Sequence, residues 1–590
     1  MNEIKKILLS SITEIKKHGI RSYCRHVKKK LKKKEFYIID EPMKISSNQS
    51  LKNEKYLDEY DLWILKHEPS EEQLRTEINS FKFNRKPLIS VIIPVFNVPI
   101  HILEETVLSV KNQNYDNLEL CIANGSTDPK IKNLLEKFKM DDKRIKIKNI
   151  TNKGISGNTN EALSLATGEF VVLLDHDDTL SPFALFEVAK ILNQNKNVDF
   201  IYSDSDKITE YGKRYEPYFK PDWSPEIMLS SNYTAHLSAF RKQLIIEVGG
   251  FSSETDMAQD WDMILKVTEH NKNVYHIPKI LYHWRTLENS TASTPFAKPF
   301  VGNSQVVAVT NHLFRKNIDG YVIHGPSRYL QCKIQTTSSI SIIIPIEGSV
   351  DIKRYLDKII QNTSYPLHEI IMVGNKTINM HDQEINPSNN NKIKFHKSSS
   401  QSLSDMLNEG ASLASGTLLM FLSTKLEPLT PGWLEEMAGW CMIEEIGCVG
   451  AKIVDEHGII KHSGIIFDSD GNSHYIFSGE RDEVAVWTPF GAREWYRDFN
   501  AITGECIMIR RDVFSSLDGF KNIEEYDLDL CLRLRDKNFR IMYTPHSKFL
   551  IHGKLKLQRH VDMKKYTCLQ IVDPYYTPNL DENNVTKLKI

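Results

Sequence analysis

A repeat constrains this chain more than any other feature. Ser341-Ile342-Ile343-Ile344-Pro345 echoes Ser90-Val91-Ile92-Ile93-Pro94. Ala414-Ser415-Gly416-Thr417 before an apolar run echoes Ala166-Thr167-Gly168-Glu169 before another. Gly519-Phe520 with Asp527-Leu528-Asp529 echoes Gly250-Phe251 with Asp260-Trp261-Asp262. The three pairs keep one order, so the chain reads as two copies of one domain, 87–325 and 335–560. Two copies are not an array, which excludes a solenoid.

Within the first copy, apolar runs at Leu88–Pro94, Leu118–Ala123, near 145–150 and at Glu169–Leu174 alternate with helical stretches near 99–112, 129–138 and 156–166. That alternation predicts an α/β fold with a mostly parallel sheet covered on both faces. Ligands in such sheets bind at the carboxyl ends of the strands. Upstream, 51–86 reads as a helical linker, with Tyr56, Tyr60, Trp63 and Ile64 on one face, and 561–590 reads as a C-terminal tail.

Residues 1–50 form a basic arm, with Lys28 to Lys30 and Lys32 to Lys34 in two blocks and Ile4, Leu8, Ile12 and Ile15 at helical spacing. Two readings stay open for it. One is a solvated basic helix. The other is a surface resting on anionic lipid, where each Lys or Arg contributes about 1 kcal/mol. The formal net charge of -1 gives no global field for nucleic acid. Eight cysteines without a C-x-x-C pair fit a reducing compartment. No apolar run approaches the roughly 18 to 20 residues of a membrane span. The expectation is a cytoplasmic protein, peripheral at most on the inner face of the cell membrane.

Asp175-His176-Asp177-Asp178 directly follows an apolar strand. Three carboxylates in four residues repel one another, and a cation relieves that cost. Carboxylate oxygens suit Mn²⁺ or Mg²⁺, and such an ion can bridge a diphosphate as it leaves. The competing reading is an acidic turn ahead of the next helix.

On these residues, together with Pro94-Val95-Phe96-Asn97, Gly125-Ser126-Thr127-Asp128, Asn152-Lys153-Gly154, Tyr202-Ser203-Asp204, Phe219-Lys220-Pro221-Asp222-Trp223, Gln259-Asp260-Trp261-Asp262 and Leu281-Tyr282-His283-Trp284-Arg285, residues 87–290 resemble family 2 glycosyltransferases of the GT-A fold. They are most similar to the two-domain bacterial type that builds O-antigen and related surface glycans, rhamnosyltransferases among them.

The resemblance implies an inverting transfer of a hexosyl or deoxyhexosyl unit from a nucleotide-diphosphate sugar, UDP or dTDP favoured, to a glycan acceptor that includes lipid-linked forms. It implies donor contacts from Pro94, Phe96, Asn97, Asn124, Ser126, Asp128, Asn152, Gly154 and Asp175. It implies metal ligation by Asp177, Asp178 and His283, and a general base at Asp260. A positioned carboxylate taking the acceptor proton is worth a factor of about 10² to 10⁴. The family usually carries an aspartate where this chain has Asn124, whose oxygen accepts without charge and therefore more weakly.

The second copy departs further. Ser423-Thr424-Lys425 stands where the acidic turn would be, while Asp527 and His552 stand where Asp260 and His283 do. Three readings remain open for it: a degenerate scaffold, an acceptor-binding domain with Trp487, Trp495 and Tyr496 as stacking surfaces, or a metal-independent transferase using Lys425. For the whole chain the alternatives are a non-catalytic carbohydrate-binding scaffold and a sugar nucleotidyltransferase. The latter needs a glycine-rich basic loop after the first strand, and Val95-Phe96-Asn97-Val98-Pro99 offers none.

Overall fold

The computed structural model describes residues 58–590 apart from 271–272, 288–300, 326–328, 349, 367, 375–391, 484–486 and 570–572. The basic arm, the loop 288–300 and Asn375-Lys376 lie outside the described residues.

The first sheet grows from strands β1 (Ile89–Val95), β2 (Leu118–Asn124), β3 (Ile145–Asn149) and β4 (Phe170–Leu173). β1 is buried along almost its whole length, as an apolar, β-branched run must be when helices cover both faces. After it come β5 (Thr179–Leu180), β6 (Phe200–Thr209), β7 (Arg214–Tyr218), β8 (Ser238–Arg241) and β9 (Val274–Thr286). The order across the sheet is β3-β2-β1-β4-β8-β6-β9-β5, with β7 on β6.

The first four strands in that order are parallel. β8 then runs antiparallel to both β4 and β6, and β5 antiparallel to β9. The parallel sheet expected from sequence is therefore one half of a mixed sheet. The reversal matters for the site. It pairs Leu173, at the end of β4, with Ser238, at the start of β8, and Thr179 with His283. The residues leading into β8 thus stand beside the acidic turn that leaves β4.

The second sheet has the same order. Its strands run Ile393–Lys397, Glu369–Gly374, Ile340–Ile346, Leu418–Leu422, Cys506–Arg510, Ile446–Val454, Arg540–Ile551, Leu426–Pro428. A polar anchor is duplicated as well. In the first sheet Glu119 accepts from Ser90 Oγ at 2.7 Å and Lys146 Nζ at 2.6 Å, and Gly168 N donates to Ser90 Oγ at 2.9 Å. In the second, Glu369 accepts from Ser341 Oγ at 2.6 Å and Lys394 Nζ at 2.6 Å, and Gly416 N donates to Ser341 Oγ at 2.9 Å. A Cβ on Gly168 would come within 2.6 Å of Leu88 O and one on Gly416 within 2.7 Å of Ser341 N, so both close approaches need glycine.

The two sheets are joined by buried polar contacts. Arg540 pairs with Glu226 at 2.8 Å, Ser224 Oγ donates to Asp498 Oδ2 at 2.6 Å, and Tyr496 N donates to Ser230 Oγ at 3.0 Å. The ends of the described chain also pack together. Helices Glu59–His67 and Glu71–Ser80 form where the linker periodicity predicts them. Tyr60 and Trp63 of the former share an apolar cluster with Phe219, Tyr576 and Leu580, and Asn579 Nδ2 reaches Asp204 Oδ2 at 3.3 Å.

Candidate active site

Three strand ends form one wall of the site. Asn97, just past β1, has φ 48 and donates its amide to Ser126 Oγ at 2.9 Å. Asparagine tolerates this left-handed conformation better than most residues. Asn124, the last residue of β2, accepts the Ser126 amide at 3.0 Å and donates to Asn149 Oδ1, on β3, at 2.9 Å. Asn152 Oδ1 accepts from Gly154 N at 3.2 Å and from Asn158 Nδ2 at 2.8 Å. Gly154 sits at φ 79, and a Cβ there would come within 2.6 Å of Asp256 Oδ2. Pro94, near the carboxyl end of β1, has no N–H to donate, and its carbonyl meets His176 Nδ1 at 3.0 Å. Phe96 is exposed beside it. Asp128 caps the helix Pro129–Asp141 by accepting from Lys130 N at 2.8 Å.

The acidic turn is the centre. Asp178 is fully buried. Its Oδ2 accepts from Tyr282 Oη at 2.6 Å and its Oδ1 from Arg285 N at 2.7 Å. Burial, and then the charges of Asp177 and Asp175, hold its carboxyl well above the usual carboxylate range despite those two hydrogen bonds. Arg285 is also fully buried and locks the turn: Nε donates to Asp177 O at 2.8 Å and Nη2 to Glu105 Oε2 at 2.7 Å.

Ligand atoms of Asp175, Asp178 and His236 lie within 4.8 Å of one another. His236 stands two residues before β8 at φ 61, with its ring stacked on Tyr282 at 4.7 Å. Lys220, buried, fixes that segment by donating to the carbonyls of Ser203, Ala235 and His236 at 2.6, 2.8 and 2.7 Å. Burial, with the Lys220 charge nearby, pulls His236 down to about 3, so the ring is neutral at physiological pH. A neutral imidazole with two carboxylates is a donor set that suits a small divalent cation.

His283 lies outside this grouping. Its Nδ1 meets Asp206 Oδ1 at 2.5 Å and its Nε2 meets Ser181 Oγ at 3.0 Å, so both ring nitrogens are taken. The cause is strand alternation. Tyr282 and Trp284 turn to the face where His236 lies, 4.7 and 5.3 Å away, and His283 between them turns to the opposite face. Asp175 rather than Asp177 joins Asp178 in the group. His236 carried no spacing signal of its own, because the turn back into β8 is what brings it to the acidic turn.

Asp260 opens the helix Gln259–His270 and is partly buried. Asn232 Nδ2 donates to its Oδ2 at 2.9 Å. Burial raises its carboxyl above the ordinary value, against this bond and those from the backbone. Asp262 is structural: it is buried against Lys266 at 2.5 Å and Arg315 at 3.6 Å.

The corresponding places in the second sheet are closed by internal pairs. Lys425 Nζ donates to Glu505 Oε1 at 3.1 Å, His552 meets Glu427 at 2.9 Å, and Asp527 takes both its oxygens to Arg559 Nη1 at 3.0 and 2.9 Å. Trp495 and Tyr496 are fully buried core residues, which removes them as stacking surfaces, while Trp487 is exposed.

Residues 90–249 match the family described as Glycosyl transferase family 2. An uncharacterized protein of Sinorhizobium fredii is 31% identical over 530 residues, covering 84% of this chain and 58% of the relative. The O-antigen biosynthesis protein RfbC of Myxococcus xanthus is 30% identical over 547 residues, covering 89% of this chain and 42% of the relative. A chondroitin synthase of Pasteurella multocida is 30% identical over 246 residues, 41% of this chain and 25% of the relative. The chain thus spans about half the length of the first two relatives. Sheet and match together define the class, an α/β fold of the glycosyltransferase type. Residues 90–249 are thus a domain that matches the family 2 glycosyltransferases.

Proposed function

We propose that the chain is an inverting glycosyltransferase whose working site lies in the first sheet, within a catalytic domain of 87–325, and that 335–560 is a second domain of the same fold without a working donor site. It moves a sugar from a nucleotide-diphosphate donor to a hydroxyl of a growing surface glycan. The observation that carries this reading is the meeting of Asp175, Asp178 and His236 at the carboxyl edge of the sheet, with Asp260 held by a residue of the same segment that presents His236.

Asp175, Asp178 and His236 would hold Mn²⁺ or Mg²⁺, with the charge of Asp177 beside them. The bound cation would neutralise the diphosphate and ease its departure. The protein's own groups supply the rest. Pro94 to Asn97, Asn124, Ser126, Asn152 and Gly154 line the donor wall. Asn124 Oδ1 uses one lone pair on the Ser126 amide, which leaves the other for a pyrimidine N–H, so UDP or dTDP is favoured. Asp128, as a helix cap, would contribute by ordering that wall. Asp260 takes the acceptor proton as the bond to C1 forms and the bond to the diphosphate oxygen breaks. Its raised proton affinity makes it a better base than an ordinary surface aspartate.

The relatives support the acceptor class. One of them is named for O-antigen biosynthesis, and a β-1,3-glucosyltransferase of Campylobacter jejuni that is 34% identical over 110 residues is named for an undecaprenol-linked acceptor. A lipid-linked acceptor places the chain at the inner face of the membrane, where the basic arm would meet anionic lipid. Among the described residues no helix is long and apolar enough to cross a membrane. The test is release of nucleoside diphosphate from UDP- and dTDP-sugars with Mn²⁺ or EDTA. Turnover that ignores EDTA, or that persists in Asp260→Asn, would sink the reading.

A further inference from the structure

We propose that the second sheet carries a binding cleft for an uncharged oligosaccharide. The cleft encloses about 810 Å³, inside the range of about 300–1,000 Å³ that small-molecule sites occupy. It lies between the hairpin Ile465–Phe467/Ser473–Tyr475, the residues just before helix Tyr526–Asp536, and the chain that follows strand Arg540–Ile551. That helix matches Gln259–His270 of the first sheet, and Asp527 stands where Asp260 stands. The cleft is therefore the acceptor side of the second sheet.

Arg559 is the residue that points to a ligand. Its side chain is only 8% exposed and lines the cleft. Nη1 holds Asp527, whereas Nε, 3.2 Å from a Glu525 oxygen, and Nη2 are both buried without a hydrogen-bond partner in the protein. A buried guanidinium N–H left unpaired is costly, and a small rotation of the Arg559 side chain towards the cleft it lines would let a ligand oxygen satisfy it.

Charge decides the ligand class. Asp468, Glu524, Glu525 and Glu582 line the cleft against Lys556 and Arg559, and Asp527 lies beneath. A surplus of carboxylates repels a diphosphate. The donor turn of this sheet, Ser423-Thr424-Lys425, holds no carboxylate for a cation, and Lys425 is engaged by Glu505. Sugar hydroxyls, which both donate and accept, match a lining of carboxylates, amides, two imidazoles and a guanidinium. The second sheet has lost the donor half of a transferase site and kept an acceptor half. Naming the glycan as the acceptor of the first sheet rests on the function proposed above, whereas its binding does not.

The experiment uses the full chain on an immobilised panel of uncharged oligosaccharides, from di- to hexasaccharides of hexose, deoxyhexose and acetamidohexose units. Wild type and Asp178→Ala are expected to be retained equally on at least one member. Gln558→Trp, which places a bulky ring at an exposed position of the cleft lining, is expected to weaken retention by roughly tenfold or more, about 1.4 kcal/mol, at unchanged melting temperature. Arg559→Lys is expected to weaken it as well. Donor turnover without acceptor should be the same in Gln558→Trp as in wild type, so loss of glycan binding is read apart from loss of transfer. The proposal is overturned if no member is retained, if Gln558→Trp binds as wild type does, if Asp178→Ala abolishes retention, or if UDP displaces the glycan from Asp178→Ala.

Discussion

Asn232 donates its side-chain amide to the Asp260 carboxylate at 2.9 Å, and four residues later the same segment presents His236 to Asp175 and Asp178. The proposed base and the proposed cation site are thereby set by one stretch of chain. As the proposed base, Asp260 would act only when ionised, and its pKa is raised, chiefly by burial. As pH falls, kcat/KM should therefore drop on an acid limb lying above the ordinary aspartate value of about 3.9. Asn232→Ala removes a bond that favours the ionised form and should move that limb further up. Asp260→Asn should lower kcat by about 10² to 10⁴ and leave donor KM nearly unchanged. A pH–rate series on the three proteins checks this.

His236 and His283 should separate cleanly. His236→Ala should raise the Mn²⁺ concentration needed for half-maximal activity by about 10- to 100-fold, the order seen when a supporting group of a metal site is lost. His283→Ala should leave that requirement near wild type and lower the melting temperature. It removes a partner of Asp206, which is buried and also accepts from Tyr60 at 2.6 Å and Arg214 at 2.5 Å. Metal titration of activity together with thermal unfolding distinguishes the two.

The Arg540–Glu226 pair binds the second sheet to the segment that leads to Asn232 and His236. Glu226 is buried, and the nearby Arg540 charge keeps it ionised against the cost of burial. Arg540→Ala would strand that carboxylate, at a cost of about 3–5 kcal/mol. Equilibrium unfolding in urea should show the loss, and wild-type stability in the variant would contradict the packing described.

Acid should weaken both sheets through one device. Burial alone would raise Glu119 and Glu369, but Lys146 and Lys394, with the Ser and amide donors around them, outweigh it and bring both to about 2. Their unfolded value is about 4.3. Depressed carboxylates stabilise the native state above the unfolded value, and that stability is lost as pH falls from there towards 2. Lys146→Met and Lys394→Met should each flatten the fall in melting temperature across this window.

The parallel half of the sheet was legible because apolar runs such as Leu118–Ala123 have the length and burial of interior strands. The antiparallel half was not, since nothing in Phe200–Thr209 or Ser238–Arg241 encodes direction. The repeat was legible down to Ser90 and Ser341, whose hydroxyls make the same bonds in both sheets. At the site, Asp178 announced itself by three carboxylates after a strand. His236 did not, because β8 reaches the acidic turn only through tertiary pairing. His283 stands apart from that group because one position along β9 reverses the face.

The most direct measurement is a thermal shift of the full chain with UDP, dTDP, GDP and CMP, each with Mn²⁺ and with EDTA, for wild type and Asp178→Ala. A ligand at 100 times its Kd stabilises the native state by about 2.7 kcal/mol. The account predicts that UDP or dTDP raises the melting temperature with Mn²⁺, not with EDTA, and only in wild type. A shift that survives EDTA, a shift of equal size in Asp178→Ala, or none with any nucleotide would contradict it.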